Sequence, residues 1–155
     1  MSTDATLRIK SGSTAQTEQL ANKLAANIRG NEVIELASDV GGGKTTFTKF
    51  LLAALGSADM VSSPSFTIEN IYYCPNFEVH HFDFYRLEEA GIMSDEFDEV
   101  VQAGEDLVII EWAGLVQDLL PKQRLQIKIT APSENQREFE FICPAELSYL
   151  TEGIA

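Results

Sequence analysis

The run Ser38-Asp39-Val40-Gly41-Gly42-Gly43-Lys44-Thr45-Thr46 limits the possible folds of this chain more than any other feature. It directly follows the apolar, β-branched stretch 33–37, which predicts a buried strand. Apolar residues spaced like one face of a helix come next: Phe47, Phe50, Leu51, Ala54 and Leu55. A strand, a glycine-rich turn and Lys-Thr at a helix start are typical of the phosphate-binding loop of nucleoside triphosphatases.

The chemistry of this loop explains why these residue types occur together. Glycines lack a Cβ atom, so backbone N–H groups can close around phosphate oxygens, and the helix N-terminus adds partial positive charge. We expect Lys44 to reach the β- and γ-phosphates and Thr45 to place its hydroxyl on Mg²⁺. The predicted phosphate-binding residues are Val40, Gly41, Gly42, Gly43, Lys44, Thr45 and Thr46.

One position departs from the pattern G-x-x-x-x-G-K-[ST], because Ser38 stands where the first glycine is expected. Serine can enter a tight turn at modest cost as long as its φ angle stays negative. The alternative interpretation is a flexible glycine-rich linker that happens to precede Lys-Thr-Thr. Because linkers rarely lie between a buried strand and an amphipathic helix, the context favours the phosphate loop.

Length and charge narrow the classes of function. A chain of 155 residues predicts one domain, residues 1–155. The net charge of −13 argues against a free-standing nucleic-acid binder, because phosphate contacts need clustered Lys and Arg. Solubility alone is an equally good explanation of the acidity. If the protein serves nucleic-acid chemistry, we expect it to act through a more basic partner.

The sequence predicts a cytoplasmic protein that does not enter a membrane. No apolar run in it approaches the roughly 20 residues of a membrane-spanning helix. The N-terminal residues 1–5 lack the basic and apolar segments of a signal peptide. Cys74 and Cys143 are far apart and belong to no paired-cysteine metal motif, so we interpret them as reduced thiols.

Strand and helix patterns alternate early in the chain, and strands cluster late. Strands are predicted over 5–10, 33–37, 66–73, 77–85, 106–112, 124–131 and 137–143. Helices are predicted from a Ser13–Gln16 capping box to Gly30, from the phosphate loop to Leu55, from a cap at 94–96 to about Ala103, and over 144–150. This order predicts an α/β fold of the P-loop nucleotide-binding type, a mixed sheet with a parallel centre and antiparallel additions and with helices on both faces.

Two carboxylates close predicted strands, at the edge where open α/β sheets bind ligands. Asp83 alternates with His81 and Tyr85, so the three share one strand face. Glu111 directly follows the apolar run 107–110, and an acid in that place typically holds the metal of a nucleotide site. The alternatives are a solvated strand end for Glu111 and a structural ion pair with Arg86 for Asp83.

In series, these motifs resemble the TsaE family, also called YjeE, of small ATPases in bacterial threonylcarbamoyladenosine synthesis on tRNA. The resemblance covers about residues 14–130. It is carried by 39–47, by Ser63-Pro64-Ser65-Phe66-Thr67, by His81-Phe82-Asp83-Phe84-Tyr85-Arg86-Leu87 and by Ile110-Glu111-Trp112. Departures from the family pattern are Ser38 for glycine and Ser65-Phe66 for the usual Thr-Tyr.

The resemblance implies roles for the matching residues. Residues 41–46 would bind the phosphates of ATP, Thr45 and Glu111 would hold Mg²⁺, and Asp83 would be needed for hydrolysis alongside Lys44. Trp112 would lie beside the nucleotide, with a position in the core as the alternative, and 63–67 would form the first switch. The resemblance also implies TsaB-like and TsaD-like partners, with tRNA reached only indirectly through that complex.

Other functions stay open at this point. A small-molecule kinase would need lid arginines to clamp the transferred phosphoryl group, and the five arginines of this chain are scattered. A non-catalytic scaffold gated by nucleotide is not separable from an ATPase by sequence. The guanine-reading motif Asn-Lys-x-Asp is absent from the sequence, which favours ATP, and we expect adenine contacts near Thr14 and Thr17.

Overall fold

A mixed β-sheet runs through the fold. The computed structural model describes residues 4–38, 44–57, 69–84, 91–111, 117 and 120–154, with the backbone alone for 91–96. The strands are β1 (Ala5–Ser11), β2 (Val33–Ala37), β3 (Glu69–Tyr73), β4 (Glu78–Asp83), β5 (Leu107–Glu111), β6 (Leu125–Ser133) and β7 (Gln136–Cys143). The helices are α1 (Thr14–Asn27), α2 (Lys44–Ala54), α3 (Gly91–Ala103) and a 3₁₀ helix at Ala145–Thr151.

The sheet order is β1-β7-β6-β2-β5-β4-β3. The pairs β6–β2, β2–β5 and β5–β4 are parallel and form the centre. The pairs β1–β7, β7–β6 and β3–β4 are antiparallel and lie towards the two edges. This arrangement confirms the predicted fold class, a parallel centre with antiparallel additions.

The core lies on both faces of the sheet. One face packs against α1 and α2, and its buried residues include Leu24, Ile34, Phe47, Leu51 and Ile109. The other face packs against α3 through Phe82, Phe84, Phe97, Val108 and Ile110. Strand β5 is buried along its whole length because both of its faces are covered, which explains its continuous apolar sequence.

The predicted cap of α1 is present. The Ser13 hydroxyl accepts a hydrogen bond from the Gln16 N–H at 3.2 Å. The side-chain oxygen of Gln16 reaches back one residue further than a standard capping box, to the Gly12 N–H at 2.6 Å. After the helix, Gly30 has a φ of +110° and abuts the Phe77 ring, so a side chain at position 30 would be strained and would clash.

Two predicted boundaries are wrong. Helix α3 begins at Gly91, so Ser94 lies inside the helix and does not cap it. A capping preference is worth only about 1 kcal/mol, and other interactions easily override it. The hairpin of β6 and β7 is also tighter than predicted, because Ser133 pairs with Gln136 and leaves only 134–135 as the turn.

Other predicted boundaries differ from the structure by up to three residues or are not tested. Helix α1 ends at Asn27 with Ile28 as its cap, so Gly30 does not cap it, and β6 runs to Ser133. Strand β3 is described from Glu69 onwards, and the predicted part at 66–68 lies outside the described residues. In the described part of the chain, no helix is long and apolar enough to cross a membrane.

Candidate functional site

The carboxyl ends of the three central strands β2, β5 and β4 meet at one edge of the sheet. Ser38 follows β2, Glu111 ends β5 and Asp83 ends β4. The parallel register pairs Leu36 with Glu111 and Asp83 with Glu111. Helix α2 begins at the same edge with Lys44. The fold thus brings together three residues predicted for the site: Lys44, Asp83 and Glu111.

Lys44 is a buried cation at the start of α2. Its side chain is 9% exposed, and Nζ lies 3.9 Å from Oε1 of Glu111. Nζ also donates a hydrogen bond to the Ser38 carbonyl at 3.1 Å. A buried ammonium group requires such partners. The Lys44 head therefore lies between the end of β2 and the carboxylate of β5.

Glu111 is held from its other side by His81. Nε2 of His81 lies 2.5 Å from Oε2 of Glu111, and both side chains are almost completely buried. Among the described residues, Nδ1 of His81 has no hydrogen-bond partner. Strand alternation in the sequence places His81 on the face of Asp83, but no role for His81 follows from it. The signal that could have identified His81 is its spacing, because a residue two positions before Asp83 on a strand lies on the same face.

Asp83 is buried beside this pair. Its residue is 6% exposed, and the backbone continues the ladder through a hydrogen bond from the Phe84 N–H to the Glu111 carbonyl at 3.1 Å. Glu111 is 2% exposed, so the alternative of a solvated strand end does not apply to it. Tyr85 and Arg86 lie outside the described residues, so the alternative of an Asp83–Arg86 ion pair stays a hypothesis.

The donor chemistry of this edge fits a magnesium ion. Carboxylate and hydroxyl oxygens are the ligands that Mg²⁺ prefers. Thr45 is half-buried at the second residue of α2, next to Lys44. Oε1 of Glu111 lies 3.9 Å from Lys44 Nζ, beyond hydrogen-bond distance. This oxygen and the Thr45 hydroxyl are the two groups predicted for the metal.

A cavity of about 360 Å³ lies beside the start of α1 and α2. Its lining includes Thr14, Thr17 and Thr46, which come from positions or regions predicted to bind the nucleotide. The β6–β7 hairpin completes the wall with Arg137 and Phe139, which the sequence interpretation did not include. The cavity is therefore a candidate for the base and sugar of a nucleotide whose phosphates lie at α2.

Several predicted site residues lie outside the described residues. They are Val40, Gly41, Gly42, Gly43, the segment 63–67 and Trp112. Their predicted roles in binding phosphate, in switching and, for Trp112, beside the nucleotide stay predictions.

A second group of ionisable side chains lies at the amino ends of β4 and β5. Nδ1 of His80 is 2.9 Å from Glu69, and its Nε2 is 3.3 Å from Asp106 and 3.5 Å from Glu78. The hydrogen bond with Glu69 is the main cause that raises the pKa of His80, while burial opposes the shift. The sequence interpretation missed this cluster, although Glu78-x-His80 spacing on a strand puts both residues on one face.

Comparison with known proteins agrees with the geometry. The profile of the family described as "Threonylcarbamoyl adenosine biosynthesis protein TsaE" matches residues 11–139. The tRNA threonylcarbamoyladenosine biosynthesis protein TsaE of Bacillus subtilis is 36% identical over 128 residues, which cover 81% of this chain and 78% of that protein. The protein of the same name from Rickettsia typhi is 29% identical over 124 residues, covering 79% and 85% of the two chains.

A solved structure shares the fold. The crystal structure of Bacillus subtilis YdiB superposes with a TM-score of 0.81 at 29% sequence identity. The match covers 98% of this chain and 95% of the other. The similarity therefore extends over the antiparallel edge strands as well as the parallel centre.

Proposed function

The chain belongs to the TsaE family, and on this premise we propose that it is a Mg²⁺-dependent ATPase serving threonylcarbamoyladenosine synthesis on tRNA. The observation that carries the proposal is the convergence of Lys44, Asp83 and Glu111 at one sheet edge, directly at the start of α2. A cation and two buried carboxylates at a helix N-terminus are the parts that phosphoryl transfer to water needs.

Lys44 supplies the positive charge for the phosphates. In the structure its ammonium group bonds to the Ser38 carbonyl and lies near Glu111. A bound triphosphate offers it stronger, charged acceptors on the same side of the sheet. Lys44 then stabilises the charge that develops on the phosphoryl oxygens during transfer.

Thr45 and Glu111 would hold the magnesium ion. When bound, Mg²⁺ would neutralise charge on the β- and γ-phosphates. His81 holds Oε2 of Glu111 in a hydrogen bond. This contact leaves Oε1 for the metal and fixes the plane of the carboxylate. His81 is thus a positioning residue in this proposal.

Asp83 orients the attacking water. It lies in register with Glu111 on the neighbouring strand and shares a strand face with His81. A buried carboxylate can accept a hydrogen bond from water and aim it along the line of the scissile bond. The base of the nucleotide would occupy the cavity lined by Thr14 and Thr46.

The partners of this ATPase are proposed to be TsaB-like and TsaD-like proteins. The matched relatives bear the name of the pathway. The net charge of −13 makes direct contact with tRNA unfavourable, so tRNA would be reached only through the complex.

ATP turnover, measured alone and with TsaB- and TsaD-like proteins, tests the proposal. We expect slow hydrolysis alone and faster hydrolysis in the complex. Lys44→Ala should abolish both nucleotide binding and turnover. Lys49→Ala, an exposed lysine on the same helix, serves as the matched control and should behave as wild type. Nucleotide binding with zero turnover in the complex would instead establish a gated scaffold.

A small-molecule kinase is less compatible with the structure, because most arginines already have structural contacts. Arg8 pairs with Glu140, Arg124 pairs with Glu35, and Arg29 lies over the Tyr149 ring. Arg137 donates to hairpin carbonyls. A screen of small phosphate acceptors should therefore give no phosphorylated product.

A further inference from the structure

Two members of the second cluster, Glu78 and Asp106, lie at the ends of β4 and β5 that are opposite the candidate nucleotide site. Glu78 is the first residue of β4, whereas Asp83 is its last. Asp106 immediately precedes β5, and its Oδ1 accepts a hydrogen bond from the Glu78 N–H at 3.0 Å. His80 alternates with Glu78 and so shares its strand face. The parallel register of β4 and β5 thus fixes the backbone positions of all three residues.

The distances in this cluster match those between the ligands of one metal ion. Nε2 of His80 lies 3.3 Å from Oδ2 of Asp106 and 3.5 Å from Oε2 of Glu78. Ligand atoms bound tetrahedrally to Zn²⁺ at 2.0–2.2 Å are roughly 3.3–3.6 Å apart. One ligand atom from each residue lies within 4.8 Å of the other two. Glu78 is 44% exposed, so its side chain can rotate to close the remaining gap.

Glu69 orients the imidazole for this task. Its Oε2 lies 2.9 Å from Nδ1 of His80 and accepts a hydrogen bond from the Nδ1–H group. Nε2 is then the ring atom that faces the carboxylates of Asp106 and Glu78. A carboxylate that fixes the tautomer of a metal-binding histidine is the usual second partner in such sites.

The charge balance also favours a dication. Three carboxylates surround one imidazole, and within the described ranges no Lys or Arg forms an ion pair with Glu69, Glu78 or Asp106. The facing oxygens of Asp106 and Glu78 repel each other, and a proton on Nε2 of His80 or a metal ion beside it relieves that repulsion. An imidazole among the ligands selects a transition metal over Mg²⁺ or Ca²⁺.

We propose that Glu78, His80 and Asp106 bind a first-row transition-metal dication of the Zn²⁺ type, with water completing the coordination. The site is separate from the predicted magnesium site and does not depend on nucleotide. Because β4 and β5 carry Asp83 and Glu111 at their other ends, and His81 directly follows His80, the ion would brace the same two strands that support the nucleotide site.

Calorimetric titration of the metal-free protein with Zn²⁺, without nucleotide, tests the proposal. We expect one ion per chain. Asp106→Asn should weaken Zn²⁺ binding by at least tenfold, since the amide keeps the oxygen for the Glu78 N–H but replaces the oxygen that faces His80. Glu69→Gln should weaken it by about 10–100-fold through loss of orientation. Glu105→Gln, an exposed neighbour, is the matched control and should bind as wild type.

Anomalous diffraction measured at the zinc absorption edge locates the bound ion in the wild-type protein. A peak between Nε2 of His80 and the carboxylates of Glu78 and Asp106 supports the proposal. A peak at Glu111 with none at the cluster, or Zn²⁺ binding that Asp106→Asn leaves unchanged, would overturn it. Loss of the Zn²⁺ site in Glu111→Gln, which leaves the cluster intact, would also contradict it. None of these outcomes depends on ATP hydrolysis.

Discussion

Nε2 of His81 lies 2.5 Å from Oε2 of Glu111, and the two side chains are 1% and 2% exposed. The contact joins neighbouring parallel strands at the edge where Lys44 begins α2. A carboxylate buried to this degree needs charged or hydrogen-bonding partners on each oxygen. His81 serves one oxygen, and the other faces Lys44, so the position of Glu111 is fixed from two sides.

Replacing His81 with Gln should change the magnesium dependence of turnover. Without the imidazole, the Glu111 carboxylate is less firmly oriented, and we expect the Mg²⁺ concentration for half-maximal turnover to rise about tenfold. Measuring ATP hydrolysis against Mg²⁺ concentration checks this, with the exposed Glu99→Gln on α3 as the control. An unchanged Mg²⁺ midpoint in a folded His81→Gln protein would show that the contact is only structural.

Replacing Asp83 with Asn should separate binding from chemistry. The amide has nearly the same shape but cannot accept a proton or orient water in the same way, so kcat should fall by about a hundredfold or more. ATP affinity should stay close to the wild-type value, because Lys44 and α2 are untouched. Single-turnover hydrolysis and equilibrium nucleotide binding measure the two effects. Turnover that survives the substitution would refute the role given to Asp83.

Glu32 should contribute strongly to stability. Its carboxylate accepts hydrogen bonds from the N–H groups of Arg29, Gly30 and Asn31 and from the Tyr149 hydroxyl at 2.6 Å. Glu32→Ala leaves these donors without a charged acceptor, and we expect it to cost about 3 kcal/mol. Tyr149→Phe removes one donor and should cost about 1 kcal/mol. Urea unfolding of both variants checks the order, and equal losses would contradict it.

Cys143 should be inert below alkaline pH. Burial raises the pKa of its thiol to about 11, and Sγ donates to the Leu147 carbonyl at 3.1 Å. In a Cys74→Ser background, alkylation of Cys143 by iodoacetamide at pH 8 should be far slower in the native than in the denatured chain. Equal rates would show that the thiol is accessible.

The raised pKa of the Cys143 thiol also predicts how the free energy of unfolding changes with pH. An unfolded thiol titrates near pH 8.5, while the folded one titrates at about 11. The thiol therefore makes its full contribution to the free energy of unfolding below the pKa that it has in the unfolded chain. This contribution is lost as the pH rises through the pKa of the folded protein. Between these limits, the free energy of unfolding should fall more steeply in the wild type than in Cys143→Ala.

The parallel centre of the fold was predictable because its patterns are local. The apolar run of β5 and the strand–loop–helix order around Lys44 identify the central strands and their direction. Strand polarity then places Asp83 and Glu111 at one edge without any knowledge of distances. The cap at Ser94 failed because a residue preference near 1 kcal/mol does not determine where a helix begins.

The sequence did not indicate the contacts that depend on the register between strands far apart in the chain. Glu78 and Asp106 are neighbours only because β4 and β5 align Val79 with Leu107. His81 meets Glu111 for the same reason, across thirty positions of the chain. Single-sequence patterns state which face a side chain occupies but not which residue stands opposite on the next strand.

The edge formed by β1 has a consequence for how the protein is made. β1 pairs with β7 from Ala5 opposite Cys143 to Ser11 opposite Arg137, so β1 leaves the ribosome well before the strand that it pairs with. Translation adds about 5–20 residues per second, so β1 stays without its partner strand for on the order of ten seconds. The acidic character of the polypeptide would keep neighbouring nascent chains apart during that interval.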